Sequence, residues 1–213
     1  ELVDVATSVT FAENLVNATP QLIDSAVKLT DTDSANFAGG QLVVSTISGY
    51  GSIEQAQLPQ DPEAQDQFGI RHQGNAAGQI GVSGNSVSYG GTVIGTIASN
   101  GSNGADLVVS LNASATAAAV EALIENLTYA NSATDPAASR LLSIQVNDGA
   151  GGATIPRTVQ INVTPEVDGA SPLFGEQQVN TYEANEQHVP VVTGLQGPND
   201  GGHVVVWRSL EQD

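Results

Sequence analysis

The sequence predicts an all-β fold in which antiparallel strands form a sandwich that carries one inserted short α-helix. The chain has 213 residues, of which 40% are hydrophobic and 4% aromatic, and the apolar side chains are largely Val, Ala, Leu and Ile. Short β-branched runs alternate with Gly, Asn and Asp turn signals along most of the chain, as in antiparallel sandwiches. A single Ala-rich segment has the periodicity of a helix.

The predicted strands are short runs rich in Val, Ile, Thr and Leu, each bounded by turn residues. They cover residues 5–13, 26–31, 41–47, 67–72, 79–82, 86–89, 92–97, 106–112, 141–147 and 154–164. Their spacing is that of an antiparallel sandwich.

The predicted helix covers residues 115–127, where apolar residues recur at i, i+3, i+4 and i+7. This stripe consists of Val120, Leu123, Ile124 and Leu127. Asn112 or Ser114 can cap the start of the helix, and Asn131 with Pro136 closes it. We expect the stripe to face the core.

The chain is predicted to contain two parts. Residues 1–168 form one β-sandwich, and residues 169–213 contain a linker and the start of a second β-rich module, in which Trp207 is a core aromatic. The boundary follows from the TPEVDGASP stretch at 164–172, which is rich in Pro, Gly and acidic residues.

Composition excludes several classes of function. The formal net charge is −18, with 5 Lys plus Arg against 23 Asp plus Glu, so a basic surface for nucleic acid is not expected. The absence of Cys excludes disulfides and thiolate zinc sites. The longest charge-free stretch, residues 72–105, is too interrupted by Gly, Asn and Ser to insert into a membrane.

Several acidic residues follow predicted strands and are candidate calcium ligands, because Ca²⁺ prefers six to eight oxygen ligands that loop carboxylates supply. Asp31, Asp33 and Asn36 have the spacing of half a calcium loop, but the Gly and Glu of an EF-hand are missing. The candidates at strand ends are Glu13, Asp31, Asp33, Asp66 and Asp148.

Four runs of the sequence support a resemblance: DTDSANFAGGQLVVSTISGYG, DQFGIRHQGNAAGQIGVSGNSVSYGGTVIGTI, GADLVVSLNASATAAAVEALIENLTYAN and RLLSIQVNDGAGG. Together they resemble the cadherin-like repeat of large bacterial RTX-type surface adhesins, which is related to repeats of the chondroitin-sulfate-proteoglycan family. The resemblance covers roughly residues 5–164.

The resemblance implies a cadherin/Ig-like β-sandwich that is stabilised by Ca²⁺ and extends a secreted protein from the bacterial cell surface. In such repeats calcium lies between an acid on the first strand, a DxD-like loop and acids at the domain junction. The matching residues are Glu13, Asp31 with Asp33, and Asp148, with Glu166 and Asp168 as junction acids. We therefore predict that Glu13, Asp31, Asp33 and Asp148 converge on at least one calcium site. A complete junction motif is missing, because only the NDG at 147–149 occurs.

The expected function is non-enzymatic: an extracellular extender or adhesion module whose partners are neighbouring repeats and a cell-surface or matrix ligand. One alternative is a peptide- or glycan-binding domain that uses the loop at residues 48–66. Another is an accessory domain of a secreted hydrolase. Catalysis itself is not expected, because the HExxH, GxSxG and phosphate-loop motifs are absent. A carboxylate pair drawn from Glu54, Asp61, Glu63 and Asp66 would lie in a proline-containing loop.

Overall fold

The computed structural model describes residues 1–32, 34–47, 62–133, 135–166, 187–194 and 203–209. The chain divides into two compact units, Glu1–Glu166 and Val167–Asp213, which are described separately. The described part is mostly β, with large sheets rich in antiparallel pairs, and this confirms the all-β prediction.

The strands of the first unit overlap all ten predicted runs, with bounds that shift by a few residues. They are β1 Leu2–Val3, β2 Ser8–Ala12, β3 Gln21–Leu22, β4 Lys28–Leu29, β5 Gln41–Thr46, β6 Asp66–Ile70, β7 Ile80–Ser83, β8 Ser86–Tyr89, β9 Thr92–Asn100, β10 Leu107–Leu111, β11 Leu127–Asn131, β12 Ser139–Asn147 and β13 Arg157–Thr164. The short strands β1 and β3 and the buried strand β11 were not predicted.

An eight-stranded sheet has the order β2-β13-β12-β5-β10-β9-β8-β7. Its neighbouring strands are antiparallel except at one edge, where β2 runs parallel to β13, with Ser8 opposite Gln160 and Ala12 opposite Thr164. The prediction of a purely antiparallel fold is therefore wrong at this edge. Parallel neighbours require a long crossover, and here the crossover comprises all the elements between β2 and β13.

The side chains of this sheet alternate between the core and the outer face. Along β12 every second residue is buried, and Ile144 lies opposite Val44 of β5 in the same inward row. This period of two is what a strand with one covered face requires. The sequence pattern RLLSIQV therefore predicted β12 well.

A three-stranded sheet has the order β3-β11-β6. Its central strand, β11, is buried at all five positions. The ring of Tyr129 in β11 contacts Phe68 of β6, with 6.2 Å between the ring centroids. The buried residues of this sheet and those of the eight-stranded sheet belong to one hydrophobic core.

Helix α2 comprises Ala117–Ile124, and its buried residues include Val120, Leu123 and Ile124, as predicted. The predicted bounds and caps are wrong. Thr116 caps the helix by accepting a hydrogen bond from the Ala119 N–H. The helix stops before Leu127, which is buried as predicted but belongs to β11.

A second helix, α1, comprises Glu13–Ala18, so the prediction of a single helix is wrong. Val16 is buried against the core, and Glu13 is buried at the first helical position. Six residues span fewer than two turns, which is too short for a hydrophobic period to identify a helix.

In the second unit, β14 (Gln187–Gly194) pairs antiparallel with β15 (His203–Ser209). The register shifts between His188 and Val191. Trp207 lies in β15, but its predicted packing concerns a side chain outside the described residues. The predicted linker at 164–172 is described only as far as residue 166.

We expect Leu123→Ala to destabilise the protein by about 2 to 5 kcal/mol, because the substitution removes buried methyl groups and leaves a cavity. Leu123 has no exposed surface. The matched control is Leu15→Ala, where the leucine is 51% exposed and the expected loss is within about 0.5 kcal/mol. Urea unfolding of both variants measures the difference, and equal losses would show that Leu123 does not pack in the core.

Candidate functional site

The seven acidic residues proposed as ligands do not form one group in the structure. Asp31 lies near Asp148, Glu13 contacts Glu166, and Asp66 has separate partners. Asp33 and Asp168 lie outside the described residues.

Asp148 lies in the turn that leaves β12, at what we call the Asp148 end of the eight-stranded sheet. Its Oδ1 accepts hydrogen bonds from the N–H groups of Ala150 and Gly152, at 2.8 and 2.9 Å. Gly149 has φ +77°, and a Cβ there would lie 2.3 Å from the carbonyl oxygen of Ala38. The NDG sequence thus forms a tight turn that fixes the Asp148 carboxylate.

Ser34 links Asp31 to Asp148. Its backbone N–H donates to Asp31 Oδ1 at 3.2 Å, and its hydroxyl donates to Asp148 Oδ2 at 3.1 Å. The hydrogen bond from Ala150 holds the pKa of Asp148 below its usual value, and the negative charge of Asp31 opposes this shift. Both carboxylates line a groove of about 320 Å³ whose apolar wall includes Phe37 and Val146.

Glu13 is at the opposite end of the sheet, where β2 and β13 finish, which we call the Glu13 end. Only 2% of its surface is exposed. Its Oε2 accepts a hydrogen bond from the Glu166 N–H at 2.8 Å, whereas its Oε1 is buried without a partner among the described residues. An unpaired buried carboxylate oxygen is costly, so this atom is suited to a cation that approaches it.

The predicted convergence of Glu13 with Asp31 and Asp148 is wrong, and the strand directions explain why. β13 runs antiparallel to β12, so the end of β12 lies beside the start of β13. β2 runs parallel to β13, so Glu13 follows the end of β13. The acid on the first long strand and the acid in the NDG turn are thus at opposite ends of the same sheet.

Asp66 forms a buried ion pair. Its Oδ2 accepts from Arg140 Nε at 2.8 Å, and its Oδ1 accepts from the Tyr129 hydroxyl and from Asn131 Nδ2, at 2.7 and 2.9 Å. Neither Asp66 nor Arg140 is exposed by more than 3% in its side chain. Because a guanidinium already neutralises this carboxylate, the geometry does not support the prediction that Asp66 is a calcium ligand.

Burial determines the protonation behaviour of this cluster. Desolvation raises the pKa of Asp66, against the opposing charge of Arg140. Desolvation and the Asp66 charge together raise the pKa of the Tyr129 hydroxyl. Tyr129 therefore remains a hydrogen-bond donor to the carboxylate at neutral pH.

Sequence reasoning missed Arg140 and Ser34. Arg140 had a detectable signal, since it occupies an inward position in the alternating run RLLSIQV and a buried cation requires a partner. Ser34 had no such signal, because its role depends on a turn that brings together residues far apart in sequence.

Within the part of the chain that the structure describes, no group of three or more His, Asp or Glu residues could hold a metal ion. Among these residues neither end of the sheet gathers the six to eight oxygen ligands that calcium prefers, although Glu1 lines the same groove as Asp31 and Asp148. The alternative sites were predicted on the loop at 48–61 and on Glu63, and that loop and the side chain of Glu63 lie outside the described residues. Among the described helices, none is long and apolar enough to span a membrane.

We expect Arg140→Met to cost about 3 to 5 kcal/mol at neutral pH, because Asp66 would remain buried and charged without its counterion. The pKa of Asp66 in the folded variant would lie above its unfolded value, so the folded state would bind more protons. The loss relative to wild type should therefore shrink as the pH falls from neutral toward 4.

The control is the double variant Asp66→Asn with Arg140→Met, which removes both charges and should recover most of the stability. Chemical denaturation between pH 4 and 7 measures all three proteins. A pH-independent deficit in Arg140→Met would contradict a cost that arises from the unpaired carboxylate.

No family model matches the chain, and no match was found among curated proteins or solved structures. The resemblance to cadherin-like repeats therefore rests on the sequence motifs quoted above.

Proposed function

We propose that the first unit is a non-enzymatic structural and adhesive module that extends a secreted bacterial surface protein as one of a series of repeats. One observation carries this proposal: the unit's first and last residues lie at opposite ends of its longest sheet. A module with this geometry lengthens an array with every copy, whereas a module whose ends lie together does not.

The contacts at each end define this path. Arg157 Nε, at the start of β13, donates to the Leu2 carbonyl oxygen at 2.7 Å. At the finish of β13, the Glu166 N–H contacts Glu13. β13 itself has eight residues, and the seven steps from its first to its last residue span about 23 Å at a rise of about 3.3 Å per residue.

The shared core of the two larger sheets supports a cadherin/Ig-like sandwich. Arg140 projects inward from β12 of one sheet to meet Asp66 of the other, and the Asp66 carboxylate also accepts from the Tyr129 hydroxyl. The edge pair of β2 and β13 brings together the first long strand and the last strand of the unit.

Calcium is the cation that we assign to this function, and its chemistry fits both ends of the sheet. Glu13 offers a buried carboxylate oxygen that has no donor in the part of the chain that the structure describes, next to the exposed Glu166. At the other end, Ser34 holds Asp31 and Asp148 together although their charges repel. A bound calcium ion would supply positive charge that relieves this repulsion.

Each end holds an incomplete set of ligands, so a full site would need further oxygens. Asp33 and Asp168 adjoin these residues in sequence and stay predicted ligands. In an array, the Glu13 end of one repeat would meet the Asp148 end of the next. Neighbouring repeats are therefore the first partners we propose, with a cell-surface or matrix ligand as the second.

An extracellular location agrees with the composition. The chain carries a formal charge of −18 and has no cysteine, so it needs no reducing environment. Its acidic surface would attract the divalent ions that are abundant outside cells. We propose the bacterial cell surface as its site of action.

We expect calcium to raise the melting temperature of the protein relative to the chelated state. At a calcium concentration a hundred times Kd, the stabilisation should be about 2.7 kcal/mol. Glu13→Gln should lose a large part of this increment, because it removes the buried negative charge. Differential scanning calorimetry with calcium and with chelator measures the increment directly.

The matched control is Asp106→Asn, which removes one charge from an exposed acid in the loop before β10. This variant should keep the wild-type increment. If calcium leaves the melting temperature of the wild type unchanged, the calcium assignment is contradicted. The extender geometry has a separate test.

The extender role predicts the shape of serial repeats. We expect two copies of residues 1–166 in tandem to give a maximum dimension close to twice that of one copy in small-angle X-ray scattering. Chelation should broaden the distribution of dimensions, since loss of calcium would free the junction to bend. A compact pair in calcium would contradict the extender role, and dimensions unaffected by chelation would contradict the stiffening mechanism.

A further inference from the structure

The two edges of the eight-stranded sheet differ in how their backbone groups are satisfied. At the β7 edge, side chains take the place of a neighbouring strand. The Val82 N–H donates to His72 Nδ1 at 2.9 Å, and the Ile80 N–H donates to Gln73 Oε1 at 3.0 Å. These side chains cover the edge, and such cover usually prevents an edge strand from pairing with another chain.

Within β2 itself there is no such cover among the described residues, although just before the strand the Ala6 N–H donates to Asp24 Oδ2 at 2.7 Å. The Gln160 N–H donates to the Thr7 carbonyl oxygen at 2.9 Å, and Ser8 lies opposite Gln160. In a parallel ladder this register directs the backbone groups of Val9 and Phe11 toward β13. The N–H and C=O groups of Ser8 and Thr10 therefore point away from the sheet, and none bonds to a described residue.

Side chains beside this edge are apolar and incompletely covered. Val9 and Phe11 are half-buried and pack against the core from its margin. Leu15, in the first turn of α1, is 51% exposed. An added strand would cover part of this surface as well as the free backbone groups.

The lack of charged side chains makes the same edge accessible to a second protein that is also strongly acidic. Residues 5–12 contain no charged side chain, although the whole chain carries −18. The neighbouring outward row on β13, formed by Thr158, Gln160 and Asn162, is also uncharged. Within residues 8–12 two copies of the chain can therefore pair without placing one carboxylate opposite another, and the nearby carboxylate of Asp24 lies beside Ala6, before the strand.

We propose that β2 pairs antiparallel with β2 of a second copy of this chain, about a two-fold axis at Thr10. The edge is self-complementary in this arrangement. Thr10 lies opposite its own copy and exchanges two backbone hydrogen bonds with it, and Val9 lies opposite Phe11 of the second copy. Aromatic and β-branched residues form favourable cross-strand pairs, as do threonines.

This pairing goes beyond the proposed extender role, because it joins arrays side by side and needs no calcium. A five-residue strand buries less than the roughly 1,200 Å² of a typical stable interface, so the dimer should form reversibly at high concentration. Sedimentation velocity of the full chain in chelator tests this. The weight-average mass should rise toward twice the monomer value between micromolar and near-millimolar concentration.

Thr10→Pro should abolish this rise and leave the melting temperature nearly unchanged, because a proline is tolerated where the lost N–H faces outward from an edge. Thr10→Cys gives an independent readout, since the chain has no other cysteine. Directly opposed Cα atoms in a hydrogen-bonded antiparallel pair lie about 5.5 Å apart, which is within the range of a disulfide. We expect oxidation to give a covalent dimer of the whole chain.

The matched control is Thr96→Cys, an exposed threonine inside the same sheet. It should crosslink at least tenfold more slowly than Thr10→Cys. A wild-type chain that stays monomeric, dimers that persist in Thr10→Pro, or equal crosslinking at both positions would each overturn the proposal. If the wild-type chain stays monomeric, the edge would instead be a binding site for an extended segment of a different protein. That outcome would say nothing against the extender role.

Discussion

The buried ion pair between Arg140 and Asp66 fixes how the two larger sheets of the first unit meet. Arg140 occupies an inward position of β12, and Asp66 begins β6 in the other sheet. A slip of β12 by one residue would turn the guanidinium to the outer face and leave Asp66 charged in the core. Apolar contacts alone would tolerate several registers of β12, whereas the ion pair of Arg140 with Asp66 permits only one. The positions of β13, β2 and both groups of acids follow from that register.

Much of the fold was predictable from local patterns, where a strand or helix has one covered face. β12 and β5 show a period of two, and the buried stripe of α2 shows a helical period. β11 was misassigned because it is buried at every position, so that its sequence contains no period to distinguish strand from helix. The α1 helix and the strands β1 and β3 are too short to leave a signal, and tertiary contacts determine them.

The candidate sites were predictable in their residue types and only partly in their grouping. The acids after strands lie at the ends of the sheet in two separate pairs, Asp31 with Asp148 and Glu13 with Glu166, whereas the sequence predicted one convergent site. Which end each acid occupies depends on strand direction, and a single sequence does not reveal that β2 runs parallel to β13. Asp66 was misjudged because its partner lies 74 residues away.

The parallel pairing of β2 with β13 has a consequence for a module under tension. The chain enters β2 from the Asp148 end and leaves β13 at the Glu13 end, so a pull on the two termini of the unit draws these strands in opposite directions along their length. The hydrogen bonds between them lie across the direction of pull and are sheared together, whereas in an antiparallel hairpin they would unzip one at a time. If units of this kind are joined in series as proposed, an array of them would yield only when a whole ladder fails at once.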